Sequence, residues 1–243
     1  MPRKQSGFTL IEIAIVLVII GLLLGGVLKG QELINSAKVK NFATDFRNVP
    51  LFIYGFQDKF RKLPGDMAAA DLGSSMSGVC AADGSACRSG STTGTANNGV
   101  IEGNWYDVGG NTVSTGAATD SEAARFWQHV RAAGFAAGPT DWGNANYRSL
   151  NADGGAIGFE TGIDTSVAPP VPAPFIAGMT GTYYVCSDSI LGKFAKQLDA
   201  TLDNDQTNTG NVRAVPTGSA RGATSVQKTD IVDSGSYIVC MAL

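Results

Sequence analysis

The chain has 243 residues, a formal charge of −3, and 31 glycines against only 16% charged residues. No basic cluster accompanies that mildly acidic balance, which argues against a nucleic-acid surface. Abundant glycine with few charges fits an exported, loop-rich domain better than a helical cytosolic one.

Residues 1–7, Met1-Pro-Arg-Lys-Gln-Ser-Gly7, form a short basic leader. Phe8 to Leu28 follows as an apolar run broken by one acid, Glu12. About 20 such residues match the length of a membrane-spanning helix. Arg3 and Lys4 on the leader side keep the N-terminus in the cytoplasm and send the remainder outward. A removed secretory signal is the alternative, but its apolar region is usually shorter and ends in small residues. Here the helical pattern runs on through Lys29-Gly-Gln-Glu-Leu. A carboxylate at the centre of a membrane helix costs roughly 2.5–3.5 kcal/mol, and less near the end, where it can snorkel. Glu12 is either a tolerated end-of-span acid or a group whose partner arrives on assembly.

Gly7-Phe8-Thr-Leu-Ile-Glu12 followed by an apolar helix resembles the N-terminal signal of type IV prepilins and type II secretion pseudopilins. The resemblance implies cleavage by a prepilin peptidase between Gly7 and Phe8, and N-methylation of Phe8. It also implies that Glu12 pairs with the N-terminal amine of a neighbouring subunit in a filament. Opposite charges buried together offset part of their desolvation, whereas one alone is penalised.

Beyond the span, residues 29–62 read as an amphipathic continuation of the same helix. Leu33, Ala37, Phe42, Phe46, Val49, Ile53, Phe56 and Phe60 recur mostly at spacings of three and four. A helix from Phe8 to Lys62 would measure roughly 80 Å. Gly25-Gly26 weakens it, and Pro50 predicts a kink. Leu63-Pro64-Gly65-Asp66 ends it.

Residues 63–243 are read as one domain outside the cytoplasm, large enough for its own core. Gly73 to Gly116 reads as long loops, with one short strand near Gly103-Asn-Trp105-Tyr106. Thr119-Asp-Ser-Glu122 fits a capping box for a helix ending near Ala133, with Gly134 at C′. The lone histidine, His129, lies off the apolar face of that helix and reads as a solvated residue. Strands are predicted at Ala156–Glu160, Gly181–Cys186, Asn211–Val215 and Ser236–Met241, and a helix capped by Asp188 at Ser189–Ala200. The proline-rich Ala168–Pro174 reads as a stiff surface crossing. The sum is an α+β, pilin-like fold: a long N-terminal helix packed on an antiparallel sheet, with long loops.

Four cysteines on the outer side of a membrane suggest disulfides. Three pairings are open. Cys80–Cys87, closing a short loop, and Cys186–Cys240, joining two similar strand-like runs, are favoured. Zinc is disfavoured by the single histidine and the lack of Cys-x-x-Cys. Asp199, Asp203, Asn204, Asp205 and Asn208 form an oxygen-rich cluster suited to calcium. An EF-hand starting at Asp203 fails, because Asn208 holds the glycine position and Ala214 the bidentate acid position. A looser calcium loop at Asp199, Asp203 and Asp205 stands against an Asp/Asn-rich turn. No cofactor is otherwise expected. No nucleophile or phosphate-binding motif points to an enzyme. Trp105, Trp127 and Trp142 with Tyr106 suit either a core or a sugar- or DNA-binding surface.

The resemblance implies a structural filament subunit, held in the bacterial inner membrane before assembly into a pilus or a periplasmic pseudopilus. The partners implied are identical or related pilin subunits, a prepilin peptidase and an inner-membrane assembly platform. A type II secretion pseudopilin and a minor tip pilin with a surface ligand are the alternatives.

Overall fold

The computed structural model describes residues 9–76, 80, 87, 95–107, 121–144, 146–164 and 171–243. Helix α1, Leu10–Phe60, runs unbroken through Gly25, Gly26 and Pro50. Arg61 closes it in the left-handed conformation, its N–H bonding the Gln57 carbonyl. Burial begins only at Val39 and then follows Phe42, Ala43, Phe46, Val49, Ile53 and Phe56. Leu33 and Ala37 of the predicted stripe stay exposed. The helix therefore projects from the domain about one and a half turns beyond what the stripe indicated.

The chain then passes through a buried turn, Leu63 to Met67. Gly65 has φ +97°, and a methyl group there would meet the Glu122 carbonyl at 2.6 Å. Two helices follow, α2 at Ala69–Ser75 and α3 at Glu122–Ala132. The side chain of Ser121 caps α3 by accepting from the Ala124 N–H. Thr119, the expected cap, lies outside the described residues. Gly134 takes the positive φ expected of it, +82°.

The strands are β1 Ile157–Glu160, β2 Ile163–Asp164, β3 Val171–Pro172, β4 Tyr184–Leu191, β5 Val212–Pro216 and β6 Ser236–Ala242, with helix α4 at Gly192–Leu202 between β4 and β5. Four strands form an antiparallel sheet in the order β1-β4-β6-β5, and β2 pairs with β3 separately. Strand β4 runs five residues beyond the predicted end at Cys186. A register shift between Ser187 and Ile190 absorbs the irregularity, with Ser189 at φ +59°. Consequently α4 starts later than expected, and Asp188 does not cap it. Its carboxylate accepts from the Ser189 N–H and the Thr217 hydroxyl instead. The Gly103–Tyr106 segment is a turn rather than a strand.

Side chains alternate across the sheet as strand pleating requires. Phe159, Val185, Val239 and Ala214 face the stripe of α1 together with α3 and α4. Phe42 and Phe194 meet across the α1–α4 contact with ring centroids 6.1 Å apart. Tyr184, Cys186, Ile238 and Cys240 face the other way, under loops carrying Trp105, Phe175, Ile176 and Met179. The architecture is α+β and pilin-like: a long apolar N-terminal helix on a four-stranded antiparallel sheet.

His129 corrects the expectation of a solvated residue. It is fully buried, its Nδ1 accepts from the Gly65 N–H at 2.9 Å, and it stacks on Phe56. Helix α3 is buried on its polar side as well, because loops satisfy that side. Arg131 donates to the carbonyls of Ala137, Pro139 and Tyr147, and Gln128 to that of Thr140.

Buried carboxyls give the domain a pH dependence. Glu122 is fully buried. That burial, with the Glu102 carboxyl beside it, pushes its pKa up to about 9. Burial also raises Asp45, Asp66, Glu160 and Asp199. An acid with a raised folded pKa stabilises fully below its ordinary value and loses that contribution as pH rises toward the folded one. The full-length protein in detergent is expected to show a Tm that falls steadily from about pH 5 to 9, with Glu122 the main contributor. Glu122→Gln should flatten that slope. A Tm that rises over this range would contradict the assignment.

Candidate processing and assembly segment

The start of α1 is built by two residues. Thr9 is the N-cap in extended conformation, and Glu12 sits at N3. The Glu12 Oε2 accepts from both the Thr9 backbone N–H, at 2.8 Å, and the Thr9 hydroxyl, at 2.7 Å. The Glu12 N–H donates in return to Thr9 Oγ1 at 3.4 Å. This reciprocal capping box satisfies orphan donors at the helix start and places a negative charge at the positive end of the helix dipole. Glu12 is exposed, and its Oε1 makes no hydrogen bond within the described chain. One oxygen therefore fixes the helix start while the other faces outward.

From Leu10 to Leu28 the large apolar side chains are exposed, and no part of the most apolar stretch is buried against the rest of the chain. Among the described residues α1 is the one helix long and apolar enough to cross a membrane. A Cβ added at Gly21, Gly25 or Gly26 would meet nothing within 4 Å, so no contact inside the chain requires these glycines. The exposed pair Lys29–Glu32, 2.6 Å apart, marks the end of the apolar run. About ten residues, roughly 15 Å of helix, separate it from the first buried position.

Residues 2–28 match the family model described as the prokaryotic N-terminal methylation motif. The chain carries the prepilin-type signal of type IV pilins and pseudopilins. No curated protein and no solved structure matches the chain. The signal and the apolar helix fit a membrane-anchored, pilin-like or pseudopilin protein, a family that is structural rather than catalytic. Gly7 and Phe8, where the resemblance places cleavage and methylation, lie outside the described residues.

The other candidate residues fall elsewhere in the domain. Disulfides join Cys80 to Cys87 and Cys186 to Cys240. The second links directly opposed residues of β4 and β6. Asp199, Asp203 and Asp205 lie around the end of α4 with different engagements. Asp203 accepts from the Val212 N–H, and Asp205 pairs with Lys228 at 2.5 Å. Asp199 is fully buried, with neither carboxyl oxygen at hydrogen-bonding geometry to a donor. Its burial pushes the pKa up to about 6, with the Gln206 N–H offsetting part of the shift and Asp203 and Asp205 adding to it. Among the described residues no three Asp, Glu, His or Cys side chains are gathered as a metal would need. The tryptophans are separated too. Trp127 belongs to the helical core, Trp142 packs on Tyr147, and Trp105 joins Tyr106 and Phe175 on the opposite face of the sheet.

Sequence reasoning missed the partly buried ion pair between Arg221 and Glu160, 2.6 Å apart and 61 residues distant in the chain. It also missed the role of Thr9. The Thr-x-x-Glu spacing of Thr9 and Glu12 was the signal available for it.

Proposed function

We infer that the chain is a structural subunit of a type IV pilus-like filament, cut after Gly7, methylated at Phe8 and assembled through α1. The observation that carries this reading is the prepilin-type signal at residues 2–28 on an apolar helix that the domain leaves uncovered. Before assembly the uncovered helix is held in the inner membrane, with the C-terminal domain outside the cytoplasm. In the filament, related helices cover it. The outward Oε1 of Glu12 is free to accept from the N-terminal amine of a neighbouring subunit. A prepilin peptidase and an inner-membrane assembly platform are the further partners.

A pseudopilin of type II secretion is the second reading. The same N-terminal signal serves it, and a calcium ion there would call on Asp199, Asp203 and Asp205, of which Asp203 and Asp205 are engaged by the Val212 N–H and Lys228. Shearing the surface of the native host separates the two. Recovery of the chain in the sheared filament fraction supports the pilus. Retention in the cell envelope together with bound calcium supports the pseudopilus. Recovery as a monomer in the membrane alone, under conditions where the host assembles filaments, would overturn both.

A further inference from the structure

On the sheet face covered by loops lies a cavity of about 240 Å³ that assembly through α1 does not use. Trp105, Tyr106 and Phe175 form its aromatic wall, with Arg148, Asp188 and Arg221 among the polar groups around it. The wall is fixed by local sequence. Gly158 of β1 has no Cβ, and a methyl group there would overlap the Trp105 carbonyl. The turn can therefore press against the strand, where the Trp105 N–H donates to Glu160 Oε2 at 2.8 Å. Trp105 then meets Phe175 edge-on at 5.4 Å and Tyr106 at 5.5 Å.

The charges around the cavity divide into engaged and open groups. Arg221 is fully engaged: its guanidinium donates to both oxygens of the buried Glu160, to the Ala173 carbonyl and to Asn104 Oδ1. That pair contributes no net charge. Arg148 makes no hydrogen bond or ion pair among the described residues, although Asp188 lies close enough to act on its charge. One oxygen of Asp188 accepts from the Ser189 N–H and the Thr217 hydroxyl, leaving the other open. The Trp105 Nε1 is buried without a partner. Tyr106 is 43% exposed, and its hydroxyl bonds to nothing among the described residues.

The cavity therefore offers the exposed Tyr106 ring with its hydroxyl, one cationic donor and one carboxylate acceptor, with no net charge. An anionic chain would need a positive surplus, which Asp188 and Glu160 cancel. A purely apolar ligand would leave the open polar groups unpaired in a drier site. A pyranose meets both requirements. Its C–H face lies on an aromatic ring, and its hydroxyls both donate and accept. The volume is below the roughly 300–1,000 Å³ of drug-sized sites, which suits a single ring. We propose that this cavity binds a neutral hexopyranose, the terminal unit of a glycan.

The test uses full-length protein in a detergent without sugar headgroups. Methyl glycosides of glucose, galactose, mannose and N-acetylglucosamine are titrated, with tryptophan fluorescence as readout. Saturable binding of at least one is expected, with Kd near ~1 mM. Tyr106→Ala and Arg148→Ala should each weaken it by about tenfold, and Arg148→Ala should leave Tm at the wild-type value, because its side chain is exposed and bonds to nothing among the described residues. No saturable binding of any glycoside, or binding indifferent to both exposed substitutions, would overturn the proposal. Preferential binding of a single-stranded oligonucleotide through Arg148 would overturn it as well.

Discussion

Glu12→Gln is expected to be cut after Gly7 and methylated like the wild type, yet to enter filaments roughly tenfold less, as loss of ~1.4 kcal/mol of pairing per subunit implies. The substitution separates two roles that the structure gives one side chain. Glutamine keeps an oxygen at N3, so the capping box with Thr9 survives. What it removes is the charge on the outward oxygen. In lipid, that charge is a cost of up to roughly 2.5–3.5 kcal/mol that snorkelling reduces. In a filament with a neighbouring amine, the two desolvated charges offset each other, and removing one leaves the other uncompensated. Glu12→Ala should assemble no better than Glu12→Gln, since it also loses the N3 half of the capping box, the bond from the Thr9 N–H, while the Thr9 hydroxyl still caps the helix. Normal incorporation of Glu12→Gln with failure of Glu12→Ala would reassign Glu12 to capping alone. The readout is the ratio of sheared to cell-bound chain, with the N-terminal peptide mass confirming cleavage.

Removing the Cys186–Cys240 bond should have the largest effect on the domain itself. The two cysteines are fully buried, stand opposite each other in β4 and β6 and are 54 residues apart. Chain entropy then gives about 4 kcal/mol for this bond and about 2 kcal/mol for Cys80–Cys87, whose ends are seven residues apart. For a domain of this size each kcal/mol moves Tm by about 2–4 °C. The Cys186→Ala/Cys240→Ala double variant is thus expected to melt roughly 8–16 °C lower, and Cys80→Ala/Cys87→Ala by about half as much. Differential scanning calorimetry of full-length protein in detergent gives both numbers. A smaller loss from the long loop than from the short one would show that the sheet, rather than the crosslink, dominates.

The parts of the fold legible in the sequence are those where periodicity and burial coincide. Phe42, Phe46, Val49, Ile53 and Phe56 recur at helical spacing because one face of α1 lies on the sheet and α4. The four main strands appear near their predicted places because each buries both faces, one under helices and one under loops. Leu33 failed as a core residue for a physical reason. An apolar residue on a helix that leaves its domain looks the same in sequence whether its own chain or a neighbouring molecule covers it. His129 failed because amphipathicity assumes that polar residues meet water, whereas loop backbone satisfies the polar side of α3. Asp188 failed because the irregular end of β4 cannot be read from propensity, and so the cap was assigned three residues too early.

The same limit applies to function. The leader, Gly7, Phe8 and Glu12 are legible because several rare features fall at fixed spacing. Of the Trp105–Tyr106–Phe175 wall, the first two were legible as a candidate binding surface and Phe175 was not, because the sheet brings together residues 70 positions apart.

The N-terminal peptide mass of the chain, taken from its native host, tests the central claim most directly. The account predicts a chain that begins at Phe8 and carries one extra methyl group on its amine. A chain that begins at Met1 would contradict it and leave a membrane-anchored domain with no route into a filament.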